Sequence, residues 1–300
     1  SGINNPDDFD VGLGRPTDAI IEVLGDEKAG KIVSLNGGKE LEVYTQNNEY
    51  VVPQPADQAL TPGNFSIRKQ STYGSTGNCD ALTYKNDSYY VTRNGDTLIR
   101  YHFNGLGEDY TSFNISEAST HLVKNPIERA LVRGAGGTQD NFIYYLNDDD
   151  TLTCFQFDDG NKLAALTPIT FDQGVKLLDL NSVNNELYLL KTYPTTSQTV
   201  VEKLSADGYY LDGRVLRDVE PVGDVGQITG LDDYNGYTVT VTYDGQVWGT
   251  KKVVAGQVTV EELLSVTGAS VGLNYSAKCE PMDFFAGADM TDAKKSKGAI

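Results

Sequence analysis

The sequence predicts an all-β protein, and three observations carry this prediction. The 300 residues include 18 Tyr, 10 Phe and 31 Gly but only 2 Met and 1 Trp. Aromatic side chains favour the pleated surface of a sheet, and Gly favours turns. Short alternating apolar runs recur along the chain, and Gly, Asn or Asp follows nearly every one. Only residues 116–123 have the features of a helix, since Ser116 can accept from the amide of Ser119 and Glu117 complements the helix dipole.

The alternating runs define the predicted strands. In chain order these are residues 31–35, 41–44, 88–92, 97–103, 142–146, 152–157, 186–190, 199–204, 237–243, 246–248, 252–254 and 258–260. Residues 26–30 are a predicted turn and 53–63 a predicted loop. Residues 127–132 fit either a short helical turn or the first strand of a new sheet.

Hairpin turns divide these strands into repeats. The predicted turns are 36–38, 94–96, 147–150, 193–196 and 244–245. They lie about fifty residues apart, which suits one four-stranded propeller blade per repeat. Two hairpins are also alike, because residues 96–103 and 150–157 share Asp, Thr, Leu and the final Phe.

We therefore expect residues 1–300 to form a single propeller-like platform of about six irregular blades. A pair of two-sheet sandwiches is the structural alternative. Residues 289–300 are polar and rich in Lys, which predicts a tail. The chain opens with Ser1 and Gly2 and ends without a closing signal. We therefore expect it to be a fragment of a larger protein.

Charge and apolar patterning exclude several classes of function. The chain carries 24 Lys+Arg against 42 Asp+Glu, a net charge of −18. Such an acidic body disfavours sequence-independent binding to nucleic acid or to an anionic membrane surface. No run of 18 apolar residues occurs, so we predict no membrane-spanning segment. Cys79, Cys154 and Cys279 lack a C-x-x-C spacing, which favours buried free thiols over a zinc site or a disulfide framework.

The familiar catalytic and nucleotide-binding motifs are incomplete. Residues 25–31 match most of a phosphate-binding loop, but Ile32 stands where Ser or Thr must reach magnesium. Residues 134–137 lack the spacing of a dinucleotide fingerprint. His102 and His121 are the only histidines, and no G-x-S-x-G elbow accompanies them. Both histidines are therefore interpreted as packed or hydrogen-bonded side chains.

The acidic and aromatic residues are too numerous to define a site. Residues 148–150 and 158–159 could hold calcium, but neither follows the EF-hand order, so solvated turns are the preferred interpretation. Tyr209, Tyr210 and Tyr234 could stack on sugars, although packing is the alternative. We accordingly predict no catalytic residue, no metal site, no cofactor and no enzymatic activity.

Two blocks of motifs carry a family resemblance. The first block is FSIRKQSTYGS at 65–75, YYVTRNG at 89–95, LIRYHF at 98–103, DY at 109–110, IS at 115–116 and HL at 121–122, continued by 142–157. The second is LDG at 211–213, ITGLD at 228–232, Gly236, VTV at 239–241, DG at 244–245 and VGLNY at 271–275. In this order they resemble the tail nozzle proteins (tail tubular protein B family) of short-tailed bacteriophages. The chain departs from the family at Asp149-Asp150, where Asp-Gly is usual, and at Asp233-Tyr234, where His-Leu is common.

The resemblance covers roughly residues 31–275 and implies a structural virion protein. Family members form a homo-hexameric ring in the phage tail, below the portal and the tail adaptor (tail tubular A-like) protein, in contact with tail fibres or spikes. DNA leaves the capsid through the lumen without specific binding, and an acidic wall suits that passage. The alternative function is a glycan-binding or glycan-cleaving β-propeller that acts on host surface polysaccharide with carboxylates and tyrosines.

Overall fold

The structure is a computed structural model that describes residues 12, 15, 18–54, 58–105, 109–134, 140–158, 163–204, 211–261 and 263–274. Nearly all regular structure in these residues is antiparallel sheet, which confirms the predicted all-β class. The chain divides into two compact units, Ser1–Gly208 and Tyr209–Ile300. That residues 1–300 form one domain stays a prediction.

The described residues of the first unit form four successive antiparallel sheets. The first sheet is β1 (Ile32–Gly37), β2 (Leu41–Thr45), β3 (Glu49–Val52) and β4 (Arg68–Ser71). The second is β5 (Leu82–Tyr84), β6 (Asp87–Val91), β7 (Leu98–Asn104) and β8 (Asp109–Asn114). The third is β9 (Glu128–Arg133), β10 (Asn141–Leu146), β11 (Leu152–Asp158) and β12 (Leu163–Ile169). The fourth is β13 (Lys176–Val183), β14 (Glu186–Tyr193) and β15 (Gln198–Leu204).

Each of these sheets is an up-and-down meander, the arrangement of a propeller blade. The predicted turns 94–96, 147–150 and 193–196 lie between the second and third strands of their sheets. The turn 36–38 is different, because it joins the first and second strands of its sheet. The matching turn of the first sheet is 46–48, Gln-Asn-Asn, which contains no Gly and is not among the predicted turns.

Neighbouring sheets of the first unit pack face to face, and paired tyrosines explain how. On β6, Tyr89 joins the core shared with the third sheet, while Tyr90 joins the core shared with the first sheet. On β10, Tyr145 joins the core shared with the second sheet, while Tyr144 joins the core shared with the fourth sheet. Alternate strand residues point to opposite faces, so a Tyr-Tyr pair fills two cores at once.

The two similar hairpins occupy equivalent positions. Residues 96–103 lead into β7 and residues 150–157 into β11, each the third strand of its sheet. Phe103 and Phe157 contribute to the core shared with the preceding sheet. Leu98 and Leu152 contribute to the core shared with the following sheet. The short sequence likeness is therefore a structural repeat.

The predicted helix is a 3₁₀ helix, Glu117–Leu122. Its first turn differs from the prediction, because the amide of Ser119 donates to the backbone oxygen of Ser116 at 2.8 Å and not to the side chain. Of the two interpretations of residues 127–132, the strand is correct, since β9 spans Glu128–Arg133.

The second unit contains one six-stranded sheet in the order β19-β18-β21-β16-β17-β20. Its strands are β16 (Asp212–Val222), β17 (Val225–Ile228), β18 (Thr238–Tyr243), β19 (Gln246–Lys252), β20 (Val258–Val260) and β21 (Val266–Leu273). A short 3₁₀ helix, Asp232–Tyr234, precedes β18. The described residues thus form five sheets, where turn spacing predicts about six blades, and the fifth sheet is not a meander.

Candidate functional site

Residues of the first motif block join the first sheet to the second. The amide of Tyr110 on β8 donates to Gln70 Oε1 on β4 at 3.0 Å. Ser71 Oγ donates to the buried carboxylate of Glu49 on β3, and the amide of Tyr73 donates to the same Glu49 oxygen at 3.3 Å. These motif side chains are therefore used in hydrogen bonds that hold strands together.

Two glycines of the first motif block lie where neighbouring chain segments approach closely. Gly74 has φ +72°, and a Cβ built there would lie 2.1 Å from the backbone oxygen of Gln46. Gly95 has φ +75°, and its Cβ would lie 3.0 Å from the Cα of Asn125, in the connection to the third sheet. Only Gly combines this backbone conformation with these contacts.

Arg93, between these glycines, binds the turn of the first sheet. Its guanidinium donates to Asn47 Oδ1, and its amide donates to the backbone oxygen of Gly74 at 3.0 Å. The turn of the second sheet therefore holds the turn of the first.

Ser116 and Leu122 hold the segment that follows β8, Ser116 within the second sheet and Leu122 against the third sheet. Ser116 is fully buried, and its Oγ accepts from the amide of Leu98 at 3.0 Å. The backbone oxygen of Leu122 accepts from Asn147 Nδ2 at 3.2 Å and from Thr153 Oγ1 at 2.6 Å. His121, the neighbouring motif residue, is exposed.

A cluster of buried acids and tyrosines lies between the first and second sheets. Glu42 is 1% exposed and accepts from Asn36 Nδ2 at 3.0 Å, Tyr44 OH at 2.8 Å and Ser88 Oγ at 2.9 Å. Burial raises the pKa of Glu42, an effect that these hydrogen bonds only partly offset. Burial likewise raises the pKa of Glu49. No Lys, Arg or His in the described ranges forms an ion pair with either carboxyl.

Sequence reasoning missed these two glutamates, although a signal was present. Glu42 alternates with Tyr44 on β2, so strand periodicity alone places it on the same face as a core tyrosine.

Tyr101, also in this core, has a buried hydroxyl without a hydrogen-bond partner in the described part of the chain.

On its other face, the second sheet carries a row of four directly opposed residues, which we call the Tyr84 row. Tyr84 lies opposite Asp87, Asp87 opposite His102, and His102 opposite Thr111. Directly opposed residues point to the same face of a sheet, so all four side chains share one face.

Asp87 orders this row. Its Oδ2 accepts from the Arg100 guanidinium at 2.7 and 3.0 Å, and its Oδ1 lies 2.5 Å from His102 Nδ1. An ionised carboxylate only accepts hydrogen bonds, so Nδ1 is the protonated nitrogen of His102. The imidazole is thereby fixed with Nε2 available for a further contact, and the His102 side chain is 40% exposed.

Two cations lie over the ring of Tyr84. Lys85 Nζ is 5.1 Å and Arg133 Cζ 5.8 Å from the ring centroid, distances typical of cation–π contacts. Arg133 comes from β9 of the third sheet. Its backbone is held at both ends by Asn185, which accepts from the Arg133 amide at 2.6 Å and donates to its carbonyl oxygen.

The acidic turn 148–150 is held by protein partners. Asp148 accepts from Asn125 at 3.0 Å, Asp149 pairs with Lys124 at 2.5 Å and Asp150 with Lys176 at 3.4 Å. Across the described ranges, no group of three or more His, Cys, Asp or Glu side chains could hold a metal ion.

The remaining sequence candidates have structural roles or fall outside the described ranges. Tyr234 is buried and donates its hydroxyl to the backbone of Gly213, so it packs and is not available to stack on a sugar. Cys79 and Cys154 are buried free thiols, as predicted, and this burial raises the pKa of Cys79 to about 12 and of Cys154 to about 11. Tyr209, Tyr210, Cys279 and residues 159, 275 and 289–300 lie outside the described residues.

The second motif block forms the core of the second unit. Val239, Val241, Val271 and Leu273 are all fully buried in the six-stranded sheet. Asp232 starts the short 3₁₀ helix and lies against Gly256, whose Cβ would come within 2.3 Å of the Asp232 carboxylate.

No helix in the described ranges is long and apolar enough to cross a membrane.

Comparisons with known proteins return only distant structural likeness. No family profile and no curated protein matches the chain. A periplasmic gluconolactonase of Pseudomonas aeruginosa is 13% identical, over 82% of this chain and 74% of that one, with a TM-score of 0.34. A putative 6-phosphogluconolactonase of Bacteroides fragilis is 12% identical over 77% and 73%, with a TM-score of 0.35. The WD40 domain of SCAP from fission yeast is 11% identical over 65% and 51%, with a TM-score of 0.35. Likeness at this level carries no argument about activity or substrate.

Proposed function

We propose that the chain is a structural subunit of a larger assembly, specifically of the tail nozzle of a short-tailed phage. The observation that carries this proposal is the role of the motif residues. Gln70, Gly74 and Arg93 join the first sheet to the second. Ser116 holds the start of β7 within the second sheet, and Leu122 joins the second sheet to the third. The residues behind the resemblance thus support architecture, as expected of a protein that works by shape.

Exposed apolar side chains also support an assembly. Several valines are more than half exposed: Val23 at 79%, Val247 at 68%, Val201 at 67% and Val254 at 63%. Scattered apolar residues are common on monomers, but such a set is also what subunit contacts would cover. The net charge of −18 suits a wall past which DNA moves without adhering.

The assembly is tested by measuring the mass of the full-length protein in solution, alone and with tail adaptor rings. Light scattering after size exclusion, followed by negative-stain microscopy, should show a six-subunit ring in at least one condition. A specific interface of this kind buries at least about 1,000 Å². A monomer in both conditions, across a dilution series, would contradict the proposal.

A second candidate function, glycan binding, is favoured by one observation. Beside Tyr84, the row brings together a half-exposed histidine held by Asp87 and the cations Lys85 and Arg133, groups that can donate hydrogen bonds to the hydroxyl and carboxylate groups of a glycan. Incubation with host surface polysaccharide, followed by measurement of binding and of polymer size, separates binding from cleavage. If neither binding nor a fall in polymer size is observed, this candidate is ruled out.

A further inference from the structure

The third strand of the fourth sheet is exposed, although its counterparts in other sheets are buried. The third strands of the first and third sheets, β3 and β11, are almost entirely buried, and each has a fourth strand beside it. In the described part of the fourth sheet, β15 is instead the edge strand, with five of its seven side chains exposed and two half-buried. The edge of β15 therefore presents backbone groups to which a further antiparallel strand could bind.

β15 lacks the features that protect other outer strands. Edge strands are commonly kept short, or are guarded by Pro, by bulges or by charged side chains. β4 has only four residues and begins with two cations, and β12 contains Pro168. By contrast, β15 has seven residues without Pro, and its register with β14 is continuous from Gln198 to Leu204. Its edge is therefore long and regular.

The two charges of β15 are paired inside their own sheet. Glu202 accepts from Lys191 Nζ at 2.9 Å. Lys203 Nζ donates to Glu186 at 2.7 Å. Because each charge has an opposite partner on β14, neither adds an unbalanced charge at the edge. Between them and the start of the strand lies Val201, whose side chain is 67% exposed.

The sequence of β15 is complementary to itself in antiparallel pairing. Val201 is the middle residue of the strand, so a two-fold axis at this residue opposes it to its own counterpart and uses all seven residues. In that register Lys203 lies opposite Thr199, and Glu202 lies opposite Val200. No like charges oppose each other, and the most exposed apolar side chain of the strand is covered. An axis at Glu202 would instead oppose two carboxylates.

We propose that β15 is a dimer contact, through which two copies of the chain pair in solution about a two-fold axis at Val201. This inference goes beyond the proposed assembly and does not depend on it, because a two-fold contact uses one surface twice whereas a ring joins two different surfaces. A seven-residue edge is a small interface, so we expect a dissociation constant in the micromolar range.

The first test is the mass of the full chain, measured by sedimentation over a dilution series. We expect a transition from two chain masses to one. Val201→Lys removes the apolar contact and opposes two cations at the axis, so it should raise the dissociation constant at least about tenfold.

Val247→Lys is the matched control. Val247 is 68% exposed and also lies on an edge strand, β19, but in the sheet of the second unit. This variant should leave the dissociation constant unchanged. Equal weakening by both substitutions would indicate a general effect of charge and overturn the β15 contact, as would a wild-type chain that is monomeric at every concentration.

The second test is a disulfide across the axis. Opposed side chains have Cβ atoms about 4.5–5.5 Å apart, close to the 3.5–4.5 Å, about, of a disulfide, so oxidised Val201→Cys should form a covalent dimer. Val247→Cys should not. Both variants carry Cys279→Ser, so that the introduced thiol accompanies only the buried Cys79 and Cys154. A chain that dimerises without this crosslink would overturn the contact.

Hydrogen exchange of the wild-type chain needs no substitution. Amides of residues 198–204 should exchange more slowly at high protein concentration than at low concentration. Slow exchange in a monomer would show that the same chain covers this edge, and would overturn the proposal. The proposed assembly is judged separately, by whether six-subunit rings form with the tail adaptor, and it stands or fails whatever β15 does.

Discussion

Glu42 and Glu49 are buried between the first and second sheets and are held by neutral donors instead of a cation, although Glu49 Oε1 has no hydrogen-bond partner among the described residues. Asn36, Tyr44 and Ser88 hold Glu42, while Ser71 and a backbone amide hold Glu49. Carboxyl groups are usually exposed, so residue type alone argues against this placement. Strand alternation places Glu42 inward beside Tyr44, but Ser88 for Glu42 and Ser71 for Glu49 come from segments distant in sequence, which no local pattern identifies.

These carboxyls predict a pH dependence of stability. Burial raises both pKa values above the ordinary 4.5, so the folded state binds these protons more tightly than the unfolded chain. Their contribution is complete below pH 4.5 and is lost as the pH rises through the raised values. We expect the free energy of unfolding, measured in urea, to fall across this range.

The double variant Glu42→Gln with Glu49→Gln should flatten that pH dependence, because an amide does not titrate. Glu117→Gln, an exposed carboxyl on the 3₁₀ helix, is the control and should leave it unchanged. An unaltered slope in the double variant would show that other groups cause the dependence.

Gly74 allows a second test at the residue scale. Gly74→Ala would place a Cβ on a left-handed backbone, 2.1 Å from the backbone oxygen of Gln46. It should lower the free energy of unfolding by about 3 kcal/mol or more. Gly174 also has a positive φ, +77°, but a Cβ built there would meet no atom within 4 Å. Gly174→Ala should therefore lower the free energy of unfolding by only about 1 kcal/mol. Urea unfolding of both variants measures the difference, and equal losses would refute a steric role for Gly74.

At the scale of elements, the sequence predicts inner strands far better than outer ones. The strands β7 and β10 are rich in β-branched and aromatic residues because most of their side chains pack into the cores between sheets. By contrast, β4 reads Arg-Lys-Gln-Ser and β8 reads Asp-Tyr-Thr-Ser-Phe-Asn, with mostly exposed or half-buried side chains. Such strands form because a neighbour supplies the hydrogen bonds, which local composition does not reveal.

The connection between the second and third sheets depends on Asn147. This buried amide donates to Leu122, Thr151 and Thr153. Asn147→Ala removes these bonds and should cost about 2–3 kcal/mol. Asp150→Asn, in the same turn, removes only an exposed pair with Lys176 and should cost at most about 1 kcal/mol. Thermal unfolding compares the two, and equal effects would refute the structural role of Asn147.

At the scale of the whole molecule, repetition and charge are the features that bear on function. Turn spacing predicts the repeated meanders of the first unit, and tyrosines recur in the cores that its neighbouring sheets share. The six-stranded sheet of the second unit was not predictable, because β16 pairs with β21 across about fifty residues of sequence. The net charge of −18 is compatible with a wall for moving DNA.

The central claim, a structural role in a phage tail, is tested most directly by immunogold electron microscopy. Phage particles purified from a culture that produces this protein would be labelled with antibody raised against it. The account predicts gold at the distal end of the tail. Particles without label, together with antibody that binds the free protein, would contradict it.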